Sequence, residues 1–409
     1  MKPLLFLSQR IPFPPNKGDK LRSFSVLRHL SKSWKIHLGC FIDDPADWQY
    51  LDDVRAFCVD VCCVGLDKRW AKVRSLAGLA TGTSLSEPYF RNRHLSAWVD
   101  TVLSDVKPSA AFLFSSVMGQ YIPWQDGKRP KRVVMDFVDV DSVKWRQYAD
   151  MHGFPMSWIY RRESRMLLDF DRRVARNADA SVFVSAPEAA LFRSLAPETA
   201  DRTFDISNGI DFQYFVATDQ HDNPFAAGLK SIVFTGAMDY WPNIDAACWF
   251  ARDIYPKVRD RVPDAQFFVV GGNPDAKVLR LKELAGVTVT GRVADVRPYL
   301  AHATVAVAPM RVARGIQNKV LEGMAMGRVV VTTDQGLEGI DARPGLDLLV
   351  ANDIEGLVNQ TVRALVDSSL TGMGQEARRR IETRYDWTAK LARMEALLGA
   401  GGQGEGRPG

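Results

Sequence analysis

Residues 305–333, VAVAPMRVARGIQNKVLEGMAMGRVVVTT, carry the pattern that decides the fold. Two short runs of small and β-branched residues, Val305–Met310 and Arg328–Thr333, have the length and composition of buried strands. The residues between them start as a basic, glycine-containing loop and continue with the period of a helix. Strands joined through a helix lie parallel in one sheet, so this stretch predicts a βαβ unit.

The same alternation of short apolar runs with helical segments extends through the chain of 409 residues. In the first half it predicts strands at Leu4–Ser8, Lys35–Phe41, Val59–Leu66, Ala110–Phe114, Arg132–Phe137 and Ser181–Ser185. In the second half it predicts strands at Ser231–Gly236, Gln266–Gly272, Val287–Gly291, Val305–Met310, Arg328–Thr333 and Leu346–Ala351. Helices are predicted between them, such as Lys20–Ser33 and Val143–Asn177. The fold class is therefore α/β, with two Rossmann-like doubly wound parallel-sheet domains.

A turn-forming stretch, Ser207–Asp211, separates the two halves and predicts the domain crossover. The predicted domains are residues 1–207 and residues 208–384. A final amphipathic helix is predicted at residues 385–398, with Asp386 as its N-cap, and it could pack back on the N-terminal domain. The glycine-rich residues 399–409 are predicted to be disordered.

Composition and motifs argue against several classes of function. The net charge of +5, from 53 basic and 48 acidic residues, does not call for a nucleic-acid partner. The five cysteines are odd in number and lie in apolar segments, which favours a reducing cytoplasm over a disulfide framework. No apolar run reaches the ~18 residues of a membrane span, and Leu4–Ser8 is too short for a signal peptide. No GxGxxG motif opens either domain, so a nicotinamide cofactor is disfavoured.

Two basic stretches are flanked by aromatic residues. In the first, Lys68, Arg69, Lys72 and Arg74 surround Trp70, and in the second six arginines between Arg161 and Arg176 follow Trp158 and Tyr160. Such stretches suit an anionic membrane surface, whereas solvated helix faces carry similar charge runs. Both interpretations remain open at this point.

The loop after the predicted strand Val305–Met310 has the features of a phosphate-binding corner. Gly315 lets the backbone approach a ligand closely, and the following helix start presents unpaired N–H groups. Arg311, Arg314 and Lys319 add positive charges suited to a diphosphate. Asn318 belongs to the same predicted site.

Glu322 lies one helical turn after Lys319 on the same face. Its carboxylate could accept hydrogen bonds from a ribose diol, or it could pair with Lys319.

These residues resemble the retaining glycosyltransferases of GT-B family four. That family has a Glu, seven residues and a second Glu before a small-residue stretch and a buried strand, and Glu322 matches the second Glu. The resemblance spans nearly the whole chain through the stretches Phe234–Gly236, Val269–Gly272, Gly291–Val293, Asp295, Tyr299–Leu300 and Ala303. Asp239–Asn243 and Ala313–Glu322 are similar to sugar transferases associated with exosortase (PEP-CTERM) and exopolysaccharide loci in Gram-negative bacteria.

The sequence departs from the family pattern in two places. The first Glu, which holds hydroxyls of the donor sugar in the family, falls on Arg314. The Arg and Lys that bind the donor diphosphate are replaced by Ala237 and Pro242, and the basic residues of the later loop could compensate.

The resemblance implies the GT-B fold, in which two domains face each other across a cleft. It implies sugar transfer from a nucleotide-diphosphate donor, bound by the C-terminal domain with Gly236, to a lipid-linked or polysaccharide acceptor on the N-terminal domain. We expect no cofactor and no metal, and a cytoplasmic protein with a possible peripheral contact with the inner membrane. The alternatives are a nucleotide-sugar epimerase of the same fold and a non-catalytic nucleotide-sugar-binding subunit.

Two features of the N-terminal half are candidates for the reaction centre. Residues 12–20, with Gly18, resemble the family's glycine-rich loop, although a proline-rich strand-to-helix connection has the same composition. Asp139 and Asp141 follow a predicted strand, where a carboxylate could accept the acceptor hydroxyl's proton or bind its hydroxyls. Asp141 could instead cap the next helix, and the pair also mimics the metal-binding DxD of another fold class.

Overall fold

The computed structural model describes residues 1–15, 18–125, 127–212, 214–216, 218, 221–313 and 315–399. The chain divides into two compact units. The first comprises Met1–Ser207 together with the chain from Thr388 onward, and the second comprises Asn208–Trp387. Each unit is built on one parallel sheet.

The first unit contains a seven-stranded parallel sheet in the order β3-β2-β1-β4-β5-β6-β7. Its strands are β1 (Lys2–Ser8), β2 (Trp34–Ile42), β3 (Asp60–Gly65), β4 (Ala110–Phe114), β5 (Arg132–Val138), β6 (Ala180–Phe183) and β7 (Thr203–Asp205). Its helices are α1 (Gly18–Leu30), α2 (Leu51–Arg55), α3 (Lys68–Ser75), α4 (Ala77–Thr81), α5 (Ser86–Tyr89), α6 (Arg93–Thr101), α7 (Asp141–Asp150), α8 (Met156–Asn177) and α9 (Ala186–Leu195). The central strand β1 is buried on both faces from Leu4 to Leu7, as expected of a sheet covered by helices.

The second unit contains a six-stranded parallel sheet in the order β10-β9-β8-β11-β12-β13. Its strands are β8 (Lys230–Thr235), β9 (Ala265–Val270), β10 (Val287–Gly291), β11 (Val305–Ala308), β12 (Val329–Thr332) and β13 (Leu349–Val350). Its helices are α10 (Trp241–Trp249), α11 (Tyr255–Arg261), α12 (Ala276–Leu279), α13 (Arg297–Ala301), α14 (Asn318–Ala325), α15 (Asp334–Leu337), α16 (Ile354–Val366) and α17 (Thr371–Arg384). The predicted α/β class with two doubly wound parallel sheets is confirmed.

The last helix, α18 (Trp387–Leu397), returns the chain to the first unit. Glu395 of this helix accepts hydrogen bonds from His29 Nε2 at 2.9 Å and from Ser33 Oγ, and both partners belong to the first unit. Of the predicted tail, residues 400–409 lie outside the described residues.

One predicted helix is wrong. The segment Val143–Asn177 forms two helices, α7 and α8, because Gly153 and Pro155 interrupt it. Proline lacks a backbone N–H and restricts the residue before it, and glycine is a weak helix former, so the chain leaves the helix between Met151 and Pro155.

The strand order fixes where ligands bind in folds of this kind. Sheets of parallel strands bind ligands beyond the carboxyl ends of the strands, where the strand order reverses direction. In the second unit that point lies between β8 and β11, which pair through Ile232 with Val305 and Val233 with Ala306. The loops after β8 and β11 therefore flank the expected ligand position.

Candidate functional site

The loop after β11 lies at the point where the strand order reverses, and it contains a glycine, Gly315, that other residues cannot easily replace. Gly315 is buried and has φ = +65°, a conformation that side chains with a Cβ rarely adopt. Its carbonyl accepts a hydrogen bond from Gln317 Nε2 at 3.1 Å, which closes the turn into α14. Arg314, one of the three predicted phosphate ligands, lies outside the described residues.

Helix α14 begins without a side-chain cap. Its N-cap residue, Gln317, makes no capping hydrogen bond, and Asn318 Oδ1 accepts one from Asn208 Nδ2 at 3.4 Å. The N–H groups of a first helical turn need acceptors from a side chain, water or a ligand. An uncapped turn of this kind is suited to an anion.

Lys319 lies in the first turn of α14, against the strand on the other side of the reversal point. Its Nζ donates a hydrogen bond to Gln317 Oε1 at 3.2 Å and lies 5.7 Å from the ring centroid of Phe234 in β8. Burial lowers the pKa of Lys319 to about 8, although the charge of Glu322 opposes this change. The negative charge near the ammonium therefore does not offset its burial, and a bound diphosphate would supply the missing negative charge.

Glu322 lies partly buried one turn further along α14. Burial raises its pKa to about 7, and Lys319 opposes this change. Among the described residues, its carboxylate has neither a hydrogen-bond donor nor an ion-pair partner within contact distance. The two groups influence each other's charge but do not close into a salt bridge, so both can contact a ligand.

The structure places Arg311 with helix α10. Its guanidinium makes a two-pronged ion pair with Asp245, with Nε–Oδ2 at 3.0 Å and Nη2–Oδ1 at 2.5 Å. It also stacks on Trp249, with Cζ 5.0 Å from the ring centroid. A diphosphate role for Arg311 requires a ligand that competes with this carboxylate or binds beside it.

The loop after β8 contains Gly236, which is packed too closely for a side chain. A Cβ there would lie 2.7 Å from Nδ2 of Asn243, and a Cβ at Gly271 would overlap the Gly236 carbonyl oxygen. Gly236 N donates to Val270 O at 3.1 Å, and Asn243 Nδ2 donates to Ala237 O at 2.9 Å. These contacts fix the position of the loop directly after β8, the strand that contains Phe234.

In the first unit, Asp139 and Asp141 share one lysine. Lys144 Nζ donates to Asp139 Oδ2 at 2.8 Å and to Asp141 Oδ1 at 2.9 Å, and the two carboxylates raise the pKa of Lys144 well above its usual range against the effect of burial. The other oxygen of Asp139, Oδ1, is buried without a hydrogen-bond partner among the described residues. Val138 precedes them at φ = +70°, a strained conformation for a β-branched residue.

The alternative role of Asp141, as the cap of the next helix, is wrong. Helix α7 has Val140 as its N-cap residue without a side-chain cap, and Asp141 lies in its first turn. Its carboxylate pairs with Lys144 because that residue lies one turn later on the same face.

Gly18 is the exposed first residue of α1. The two residues before it, Asn16 and Lys17, lie outside the described residues. Asp19 pairs with Arg10 Nη1 at 2.6 Å, which ties the start of α1 to the chain after β1.

Sequence reasoning missed a buried ion pair in the first unit. Arg22 is 1% exposed, and its Nε donates to Asp136 Oδ2 at 2.8 Å while its Nη1 donates to Ile206 O at 2.8 Å. The sequence does indicate such a pair, because Asp136 lies inside the apolar run of β5 and a buried carboxylate needs a partner. Asp136 therefore has a structural role distinct from that of Asp139 and Asp141.

Comparison with known proteins agrees with this architecture. Residues 229–367 match the family Glycosyl transferases group 1. No curated protein matches the sequence.

Solved structures similar to this chain share its two-domain fold at low sequence identity. HepE from Anabaena in complex with UDP and glucose has a TM-score of 0.71 and 14% identity, covering 98% of this chain and 100% of that one. Sucrose-phosphate synthase from Thermosynechococcus elongatus has a TM-score of 0.73 and 17% identity, covering 97% and 98%. WaaG, a glycosyltransferase involved in lipopolysaccharide biosynthesis, has a TM-score of 0.67 and 16% identity, covering 97% and 100%. Residues 229–367 thus form a group 1 glycosyl transferase domain, and the protein is a glycosyltransferase of the GT-B fold.

Proposed function

We propose that this glycosyltransferase is a retaining enzyme of family four. In this proposal it moves a sugar from a nucleotide-diphosphate donor to a lipid-linked or polysaccharide acceptor in exopolysaccharide or other cell-surface glycan synthesis. The resemblance of the Ala313–Glu322 stretch to family-four sugar transferases supports the assignment. The observation that carries it is the arrangement at the start of α14, where a cation and a carboxylate stand without pairing to each other.

The donor is bound in the second unit. Lys319 and the uncapped N–H groups of α14 hold the diphosphate, and Glu322 accepts hydrogen bonds from the ribose hydroxyls. Negative charge grows on the diphosphate as its bond to the anomeric carbon breaks, so positive groups at this position lower the barrier. Arg311 and Arg314 add to this charge when the donor is present.

The acceptor is bound by the first unit. Its hydroxyl oxygen forms the new bond to the anomeric carbon on the face from which the diphosphate oxygen leaves, so the configuration at that carbon is retained. The hydroxyl proton leaves to Asp139 or Asp141, and Gly18 brings backbone close to the transferring sugar. Asp141 is the more accessible of the two, because its side chain is 46% exposed and an acceptor can reach its carboxylate.

UDP and UDP-glucose are the first donors to test, because HepE structures contain UDP, glucose and UDP-glucose. We propose that the transfer needs no metal and takes place in the cytoplasm, at the cytoplasmic face of the inner membrane. The five free thiols of the described chain fit a reducing compartment. The described chain contains no helix that is long and apolar enough to cross a bilayer.

The test begins with a thermal-shift panel of nucleotide-sugars, since a ligand that binds only the folded state raises the melting temperature. The stabilising donor is then incubated with and without lipid-linked acceptors, and the product is examined by NMR for the configuration at its anomeric carbon. Transfer with retained configuration supports the proposal. Epimerisation of the donor without acceptor, inverted product, or binding without turnover on any acceptor would each overturn it.

A further inference from the structure

The first unit exposes large apolar side chains along residues 68–81, which comprise α3, α4 and Leu76 between them. Trp70 is 70% exposed, Val73 58% and Leu76 58%, and Leu79 is also exposed. Within residues 68–81 only Ala71 and Gly78 are buried. Several large apolar side chains exposed within one short segment indicate an interaction site.

The same segment is strongly basic. Lys68, Arg69, Lys72 and Arg74 are exposed, and residues 68–81 contain no acidic residue. Lys68 pairs with Asp43 at 3.2 Å and Arg74 Nε donates to Pro88 O at 2.7 Å. The side chains of Arg69 and Lys72 make no ion pair or hydrogen bond within the described part of the chain.

A second segment, from Met151 to Arg165, continues this chemistry. Phe154 is 86% exposed and Trp158 55%, and Met151 and Met156 are also exposed. Trp158 also lines an open cavity of about 360 Å³, together with Arg146, Asp150, Arg161 and Arg165. Three arginines face one carboxylate there, so the cavity suits an anionic group such as a phosphate.

The two segments are neighbours in space. Arg162 of α8 donates to Gly78 O at 2.7 Å and to Thr83 O at 3.1 Å. Buried Glu163 accepts from Leu85 N at 2.6 Å and from Ser86 N at 3.2 Å. We call residues 68–81 and 151–165 together the basic-apolar surface.

We propose that the basic-apolar surface docks the protein onto a bilayer that contains anionic phospholipid. Aromatic and aliphatic side chains insert at the headgroup level, and the surrounding lysines and arginines attract the lipid phosphates. A helix face that is merely solvated carries charge without exposing Trp70, Phe154 and Trp158. The proposal goes beyond sugar transfer, because vesicle binding requires neither donor nor acceptor.

The experiment is sedimentation of the full-length protein with vesicles of phosphatidylcholine alone or mixed with phosphatidylglycerol. We expect binding to the mixed vesicles, weakened by salt, and little binding to the neutral ones. Arg69→Glu with Lys72→Glu should weaken binding at least about tenfold, because each basic residue close to an anionic surface contributes to the attraction and the substitution reverses its sign. Trp70→Ser with Trp158→Ser should weaken binding to a similar extent through loss of inserted apolar area.

Two controls keep the result specific. Arg280→Glu with Lys282→Glu makes the same charge change on exposed residues of the second unit and should bind vesicles like the wild type. All variants should retain their thermal stabilisation by nucleotide-sugar, which separates loss of docking from loss of folding or donor binding. Equal binding to neutral and anionic vesicles, no vesicle binding, or an equal loss in the Arg280/Lys282 variant would overturn the proposal.

Discussion

The low pKa of Lys319 gives the donor site a measurable pH signature. Burial lowers this pKa from its ordinary 10.5 to about 8. Near pH 7 roughly nine-tenths of the side chain is therefore charged, and near pH 9 roughly one-tenth. A diphosphate bound beside the ammonium favours its charged form and raises the pKa again.

The sign of the pH effect follows from these two states. The complex holds the proton more tightly than the free protein, so donor affinity is full below about pH 8 and declines as the pH rises through that value. If the donor restores the ordinary pKa of Lys319, affinity falls about tenfold between about pH 7 and about pH 9. Donor binding near pH 9 should also take up close to one proton, roughly the fraction missing from the free side chain.

Isothermal titration calorimetry with UDP-glucose, in two buffers with different heats of ionisation, measures both quantities. Lys319→Arg keeps its charge over this range and should lose the decline that Lys319 causes, so any change that remains between the two pH values reports on Glu322, whose pKa is about 7. Lys319→Met should bind weakly at both, and it corrects for any titration of the nucleotide. Unchanged wild-type affinity across the range, or the same decline in the Met variant, would refute the assignment of Lys319 to the diphosphate.

Three further substitutions test other parts of the account. Glu322→Gln should weaken nucleotide-sugar binding about tenfold to hundredfold, because a hydrogen bond to a charged group contributes ~1.5–3 kcal/mol, and should change binding of inorganic pyrophosphate far less. Gly271→Ala should lower the free energy of unfolding by about 1–3 kcal/mol or more and abolish donor binding, because the added Cβ overlaps a backbone carbonyl. Gly272→Ala is the control, since its Cβ meets only ordinary contacts. Equal destabilisation of the two variants in chemical denaturation would contradict this prediction. Arg22→Leu should destabilise the first unit by ~3–5 kcal/mol by leaving Asp136 buried without its partner, and adding Asp136→Leu should recover part of that loss in thermal melts.

Much of the fold could be predicted because strand and helix periods are local properties of the sequence. The apolar run Leu4–Ser8 lies inside β1, and the run Val305–Met310 contains β11. The helical period does not reveal the break between α7 and α8, because it continues on both sides of Gly153 and Pro155. Predicted strand Leu346–Ala351 shrinks to β13 at Leu349–Val350, because an edge strand pairs on one side only.

The candidate site was predictable where its residues are close in sequence. Gly315, Asn318, Lys319 and Glu322 lie in one loop and one helix, so their spacing places them together. Partners distant in sequence could not be found this way. Asp245 of α10 pairs with Arg311 of the loop after β11, and Arg22 of α1 pairs with Asp136 of β5. Both pairs depend on how the helices pack on the sheet.

The central claim is that the second unit holds the donor diphosphate at the start of α14. A crystal structure of the full chain with UDP-glucose tests it most directly. We predict diphosphate oxygens within hydrogen-bonding distance of Lys319 Nζ and ribose hydroxyls on the Glu322 carboxylate. A nucleotide bound in the first unit, or bound in the second unit without contact to either side chain, would contradict the account.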